Sequence, residues 1–204
     1  MPQPVIEFFY DYASPFSYLA NALLPGIAER GNAELRRRPF LLGGVMKATG
    51  NSPPMLEPVA EKRAYFGSTM QRWADCYGVP VKMNPHFPIT TLALMRMATA
   101  AQLQSDSLFE RFHNAVYAAF WTEGLNMGDA EIARQVISNA GLDAAALEAR
   151  AAEAEVKDAL RAATEEAVSR GAFGAPTCFL GEQMFFGADH LPLLEHALQE
   201  FRAS

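Results

Sequence analysis

The chain has 204 residues, half of them hydrophobic and a fifth charged, with 17 Lys plus Arg against 23 Asp plus Glu for a net charge of −6. That acidic balance excludes a general nucleic-acid binder, which needs a basic face, and no apolar run approaches the roughly 20 residues of a membrane span. The two cysteines, Cys76 and Cys178, make no Cys-x-x-Cys, and Met1-Pro2-Gln3-Pro4 lacks the basic and apolar regions of a signal peptide, so a reducing, cytoplasmic setting is expected.

Residues 4–10 predict a buried strand, a short apolar run bounded by Pro4 and Asp11. Residues 15–29 predict a helix, with Phe16, Leu19, Leu23, Leu24 and Ile27 near a 3–4 spacing. Pro25 is expected to kink it or shorten its last turn, and Gly31-Asn32 ends it. A second strand over 33–42 follows a helix and is therefore expected parallel to the first, in a right-handed βαβ unit. Its three arginines, Arg36, Arg37 and Arg38, cannot all point outward and mark an edge or the strand's solvent end. Residues 43–57, rich in Gly and Pro, predict a loop, the kind of place where function tends to sit. Lys47 and Asn51 are its polar side chains with reach; a solvated lysine and a turn asparagine are the alternatives.

From 58 to about 171 the pattern is helical. Val59, Phe66, Met70, Trp73 and Tyr77 form one stripe, and Leu108, Phe112, Val116 and Phe120 another at four-residue steps; both are expected to be core. A Pro-rich break covers 79–88, helices are expected over 89–103 and around Ile132–Ile137, Asp143 caps a short one, and the last runs over 153–170. The pattern then reverts. Ala175–Leu180 and Gln183–Phe186 predict a hairpin turning at Gly181-Glu182, and Asp189 is expected as N-cap of a final helix carrying Leu191, Leu194, Leu198 and Phe201. The order βαβ, helical block, ββα is that of a thioredoxin-like α/β fold with a large helical insertion: residues 1–57 and 172–204 form the sheet domain and 58–171 the insertion.

Ser14 stands where the first strand turns into the first helix. Backbone N–H groups and the positive end of a helix dipole meet there, so negative charge is favoured. Ser-Pro is also an ordinary helix start, with Ser as N-cap and Pro at N1. His86, His113, His190 and His196 have no ligand spacing, so no metal is expected. Cys76 and Cys178 read as small buried apolar residues, Asp11 as a brace of the turn, and Ser17 as a hydrogen-bonding neighbour of the site or a plain helix residue.

Three stretches carry a family resemblance: Tyr10-Asp11-Tyr12-Ala13-Ser14-Pro15-Phe16-Ser17-Tyr18-Leu19-Ala20, Met46-Lys47-Ala48-Thr49-Gly50-Asn51, and Gly171-Ala172-Phe173-Gly174-Ala175-Pro176-Thr177 with Met184-Phe185-Phe186-Gly187-Ala188-Asp189. In this order they resemble the 2-hydroxychromene-2-carboxylate isomerases and the kappa-class glutathione transferases, over nearly the whole chain. The resemblance implies the thioredoxin fold of DsbA-type disulfide oxidoreductases, in which Cys-x-x-Cys opens the first helix. Here Ser14-Pro15-Phe16-Ser17 stands in that place, and a chain without those thiols cannot form the disulfide that exchange requires.

The resemblance implies glutathione as cofactor, its thiolate stabilised by the Ser14 hydroxyl and the helix N-terminus. Ser14 is the implied catalytic residue. Ser14, Phe16, Asn51, Ala175, Pro176, Ala188 and Asp189 are the implied glutathione contacts. Ala175 precedes an implied cis-proline, Pro176, and pairs its backbone with the tripeptide. Ala188 and Asp189 meet the γ-glutamyl end. Relatives often carry Ser or Asn at Ala188, so only a backbone contact carries over there. For the aromatic acid, Lys47 is the implied cation and Phe87 the apolar slot. The expected reaction is isomerisation of 2-hydroxychromene-2-carboxylate to trans-o-hydroxybenzylidenepyruvate in aromatic (naphthalene-type) catabolism. The alternatives are a kappa-type transferase acting on small electrophiles and a non-catalytic thioredoxin-like binding protein. The compact hairpin and the chain's ending after the last helix favour the isomerase. A homodimer is expected, with no nucleic-acid or membrane partner.

Overall fold

The computed structural model describes residues 3–203; Met1, Pro2 and Ser204, which belong to the terminal stretches read above, lie outside the described residues. A four-stranded sheet has the order β2-β1-β3-β4. β1 (Val5–Tyr10) and β2 (Glu34–Pro39) run parallel, joined by α1 (Pro15–Gly31). β3 (Thr177–Leu180) lies antiparallel to β1, and β4 (Gln183–Phe186) returns from it as a hairpin. The chain thus has a DsbA-like thioredoxin fold with a helical insertion. Between the halves come α2 (Leu42–Thr49), α3 (Ala60–Tyr77), α4 (Leu92–Gln104), α5 (Asp106–Ala118), α6 (Ala130–Asn139), α7 (Ala144–Ala151) and α8 (Ala154–Ser169); α9 (Leu191–Ala203) closes the chain. None of the helices among the described residues is long and apolar enough to cross a membrane.

Alternation along the strands sends side chains to two faces. Ile6, Phe8, Tyr10, Cys178 and Leu180 enter one large cluster with α1, α4, α5 and α9. Phe9 and Phe179 face the other way and pack with Phe40, Val45, Ala167 and Ala172. The large cluster runs without a break from the sheet into the insertion, so the two share one core.

The arginine run of β2, an edge strand, is divided between these faces. Arg37 reaches Glu110 at 2.5 Å and Asn21 at 3.1 Å on the α5 side. Arg38 turns to the opposite face, where it pairs with Glu7 at 2.7 Å and with Glu166, while Arg170 joins the same Glu7 at 2.7 Å. Arg38 and Arg170 also cover the rings of Phe9 and Phe179. Arg38 and Arg170, with Glu7 and Glu166, therefore form a half-buried ion network that caps the second core.

Several expectations change in three dimensions. The loop expected over 43–57 begins instead with helix α2. Its caps come from afar: Leu41 N–H donates to Thr164 Oγ1 at 3.0 Å and Leu42 N–H to Asp11 Oδ2 at 2.9 Å, so two glycines do not prevent a helix. Helix α1 passes Pro25 and reaches Gly31 unshortened, ending at Asn32 in the left-handed region (φ 47°). The second strand is only Glu34–Pro39. The stripe through Phe120 is not one helix, because α5 gives way to a π turn at Ala119–Glu123. Of the α3 stripe only Met70 is buried, whereas Val59 and Phe66 are exposed. Cys76 is exposed, not buried, because it lies on the outer face of α3. Asp189 does not cap the last helix; it lies in a 3-10 turn, Ala188–His190, that precedes α9.

His113 of α5 is fully buried among Tyr10, Tyr12, Tyr117 and Phe109. Its Nε2 lies 2.8 Å from Asn21 Oδ1, the oxygen that also accepts from Arg37 Nε. Nε2 must therefore donate, which leaves Nδ1 to accept from Tyr12 Oη at 3.1 Å. The imidazole is neutral, and burial first, then the Arg37 charge, holds its pKa well below 6.5. The unfolded chain protonates this group below about 6.5 while the folded chain resists. Stability from this site is full above that pH and falls as pH drops below it, with a limiting slope of about 1.4 kcal/mol per pH unit. Thermal unfolding of His113→Gln is expected to show a lower Tm than wild type at pH 7.5 and a flatter Tm dependence between pH 6.5 and 5. An unchanged pH slope would remove His113 as its source.

Candidate functional site

The site forms where the C-terminal end of β1 meets the segment before β3. Ser14 has an extended backbone (φ −94°, ψ 115°) and caps α1, its Oγ accepting from Ser17 N–H at 3.1 Å. Its N–H donates to the Asp11 carbonyl at 3.0 Å, closing the turn. Both readings of Ser14 thus meet in one residue: as N-cap it lies at the helix N-terminus, and its own proton points elsewhere. That proton is donated to the Ala175 carbonyl at 2.9 Å, across 161 residues of sequence. Ser14 is 5 % exposed. No acidic residue occupies the first turn of α1, so its positive end is left uncompensated along the helix.

Ala175-Pro176 is cis, as is Phe87-Pro88. The segment is fixed from all sides. Asn51 Nδ2 donates to the Phe173 carbonyl at 2.8 Å, Thr177 Oγ1 to the Gly174 carbonyl at 2.9 Å, and Gly187 N–H to the Pro176 carbonyl at 3.0 Å. Position 174 needs glycine because a Cβ there would come within 2.8 Å of the Phe186 ring. Phe173, 37 % exposed, lies with its ring centroid 4.3 Å from that of Phe186. Tyr77 Oη donates to the Ala188 carbonyl at 2.9 Å and so docks α3 on the turn before α9.

Ser14 bonds directly to Ala175, which the cis peptide joins to Pro176; Asn51 joins them through Phe173, and Ala188 through Gly187. Ala188 is buried and offers only backbone, while the Asp189 carboxylate is exposed, 3.6 Å from His190 Nδ1. Phe16 is half-buried against the large core. Lys47 is exposed on the last turn of α2, one turn before Asn51, and makes no ion pair among the described residues. Phe87 is half-buried on Trp121, whose Nε1 donates to the Tyr12 carbonyl at 2.8 Å. Neither Lys47 nor Phe87 bonds to the Ser14 corner. A groove of about 890 Å³ between α2, α4 and α8, lined by Leu41, Ala48, Leu92, Arg96 and Lys157, touches none of the expected site residues.

No thiol serves this corner. Cys178 lies two residues beyond Pro176 but is buried, and desolvation pushes its pKa up to about 12, so it stays protonated. The Ser17 hydroxyl is buried without a partner among the described residues; its N–H, not its side chain, meets Ser14. The sequence leaves two contributors unmarked: Tyr77, which continues an apolar stripe, and Phe173, which lies within the Gly171–Thr177 stretch. An aromatic hydroxyl at the end of a stripe is the signal that could have found Tyr77.

A family model described as a DSBA-like thioredoxin domain matches residues 5–199. A 2-hydroxychromene-2-carboxylate isomerase of Sphingobium xenophagum is 33 % identical over 95 % of this chain and 97 % of its own length. The human glutathione S-transferase kappa 1 is 29 % identical over 96 % of this chain and 91 % of its own. The solved structure of a 2-hydroxychromene-2-carboxylate isomerase superposes with a TM-score of 0.83 at 28 % identity, covering 97 % of this chain and 95 % of that one.

Tyr77→Phe removes one hydrogen bond and nothing else. It is expected to cost about 1 kcal/mol, or roughly 2–4 °C in Tm for a chain of this size. Differential scanning calorimetry checks this, and an unchanged Tm would show that the Tyr77–Ala188 bond contributes nothing net.

Proposed function

The chain belongs to the DSBA-like thioredoxin-domain family, in the branch of the 2-hydroxychromene-2-carboxylate isomerases and kappa-class glutathione transferases, and from that premise we propose that it is a glutathione-dependent isomerase converting 2-hydroxychromene-2-carboxylate to trans-o-hydroxybenzylidenepyruvate. The relatives are enzymes of these two types, and so is this chain. The observation that carries the reading is the Ser14 hydroxyl at the N-terminus of a helix whose first turn holds no acidic residue, with no exposed thiol beside it.

The corner suits glutathione in its polar groups: the Ser14 hydroxyl and the Phe16 N–H for a sulfur, the Ala175 backbone for a peptide, and the exposed Asp189 carboxylate for an ammonium. When bound, glutathione would supply the thiolate for reversible addition to the conjugated double bond, which becomes single and free to rotate once the ring C–O bond has opened to ketone and phenol, the 2-hydroxyl proton passing to the phenol oxygen and the same thiolate being released. The chain's own residues do the rest. Ser14 gives up its bond to the Ala175 carbonyl to donate to the sulfur, and that carbonyl becomes free to accept an N–H of the tripeptide. Pro176 and Asn51 keep the segment in place, and Phe16 adds apolar contact. The Ala188 backbone and Asp189 take the γ-glutamyl end. Lys47 meets the substrate carboxylate and Phe87 its ring.

In this reading residues 1–57 and 172–204 form the catalytic domain, residues 58–171 the insertion over it. The setting is cytoplasmic aromatic catabolism, in keeping with the free thiols of Cys76 and Cys178. The protein works as a homodimer, for which the exposed Met55, Leu56, Val59 and Tyr65 offer apolar surface. A kappa-type transferase would use the same corner with another electrophile, and the 29 % identity to the human kappa protein keeps that reading second.

The test is the rate of 2-hydroxychromene-2-carboxylate isomerisation titrated with reduced glutathione. A rate rising from near zero to saturation is expected; no rate at any concentration would sink the isomerase reading in favour of the transferase. Ser14→Ala is expected to lower kcat roughly 10- to 100-fold, the value of a hydrogen bond to a charged atom, with circular dichroism unchanged. Lys47→Ala should raise the KM for the aromatic acid more than that for glutathione; the reverse order would mean that Lys47 serves the tripeptide.

A further inference from the structure

Asp11 has a role that the site above does not absorb. Its side chain is 1 % exposed and pairs with no cation among the described residues. Its three donors come from three elements. Oδ1 accepts from Ala13 N–H at 2.9 Å, in the turn that presents Ser14, and from Thr91 Oγ1 at 2.6 Å, at the start of α4. Oδ2 accepts from Leu42 N–H at 2.9 Å, at the first residue of α2. Burial raises the pKa of this carboxyl, against which its three hydrogen bonds act. An asparagine would suffice to brace the turn, since one acceptor oxygen serves Ala13 N–H. Two acceptor oxygens are needed only because α2 is held as well, and α2 has no side-chain cap of its own.

We propose that Asp11 is a positioning residue whose two oxygens hold the Ser14 corner and the N-terminus of α2 in one frame, so that Ser14 and the residues at the far end of α2, Lys47 and Asn51, face one ligand. This rests on the glutathione reading given above. α2 acts as a lever. Its eight residues span about 12 Å at 1.5 Å each, so a tilt of about 10° at Leu42 moves its far end by about 2 Å. A misplacement of about 1 Å at a reacting group can cost on the order of 100-fold in rate. Asn51 in turn fixes the Phe173 carbonyl, two residues from Ala175, so the lever acts on both sides of the corner.

The experiment is a double-mutant cycle in the full chain with Asp11→Asn and Asn51→Ala, read in kcat/KM and in calorimetric glutathione Kd. Asp11→Asn keeps the shape but turns one acceptor into a donor facing a donor. It is expected to raise the glutathione Kd at least threefold and lower kcat/KM roughly 10- to 100-fold. Asn51→Ala should cost clearly less in the Asp11→Asn background than alone, because the two act through the same element. A purely structural role lowers Tm and leaves this coupling at zero. Leu42→Pro provides a second route if Asp11→Asn fails to fold. Proline is tolerated at the first helical position, and the preceding Leu41 is already extended (φ −95°, ψ 104°). It removes the N–H that α2 gives to Asp11, exchanging a half-buried side chain in the process, and should reproduce the loss of kcat/KM and its coupling to Asn51→Ala. Additive effects in both backgrounds, or variants with wild-type kcat, KM and Kd, would overturn the proposal while the glutathione reading stands. A wild-type protein that neither binds glutathione nor shows a glutathione-dependent rate would overturn both.

Discussion

The 2.9 Å hydrogen bond from Ser14 to the Ala175 carbonyl joins the turn after β1 to the segment before β3. Around it the molecule has one constraint to satisfy. A helix N-terminus must meet the strand that pairs with its parent strand, and both must be held rigidly by groups that do not themselves react. Asp11 holds the first side, while Asn51, Thr177 and Gly187 hold the second. These bonds engage backbone groups that lack partners in helix or strand, which is why a segment so short of regular structure keeps a defined shape.

The same corner separates this chain from dithiol chemistry. Exchange needs a low-pKa thiolate with a second thiol within reach. Here two serines stand in those places, and the nearby Cys178 is pushed to about 12 by burial. A site that still favours negative charge on sulfur, but holds none, fits a thiol that arrives with a ligand. In the proposed reading the fold supplies the electrostatics and glutathione brings the nucleophile.

The sheet solves a second problem with charge. The apolar strand residues on the two faces need covering, yet β2 brings three arginines in a row. Alternation sends Arg37 to Glu110 and Asn21, and Arg38 to Glu7 and Glu166. Their stems and guanidinium planes cover rings while their charges are paired at the rim. Asn21, fixed by Arg37, then sets the tautomer of His113, so a charge on an edge strand determines the polarity of a buried imidazole.

How much was legible beforehand follows from range. Periodicity and turn residues report interactions a few residues long, and they located β1, α1, the hairpin and most of the insertion. The Ser14-Pro15 junction was visible because capping is local, and the missing Cys-x-x-Cys because composition is explicit. What stayed hidden depends on distant partners. α2 forms because Asp11 and Thr164, 31 and 123 residues away, supply its caps. Thr91 reaches Asp11 across 80 residues, and Ser14 reaches Ala175 across 161. Cys76 and Phe66 are exposed because nothing among the described residues covers their face of α3, which no stripe pattern can foretell. The sequence by itself determined the order of the strands around a helical insertion, the hydroxyl in place of a thiol and the family likeness. Only the tertiary structure decided which distant groups meet at the corner, because a hydrogen bond between remote residues leaves no periodic trace in the chain.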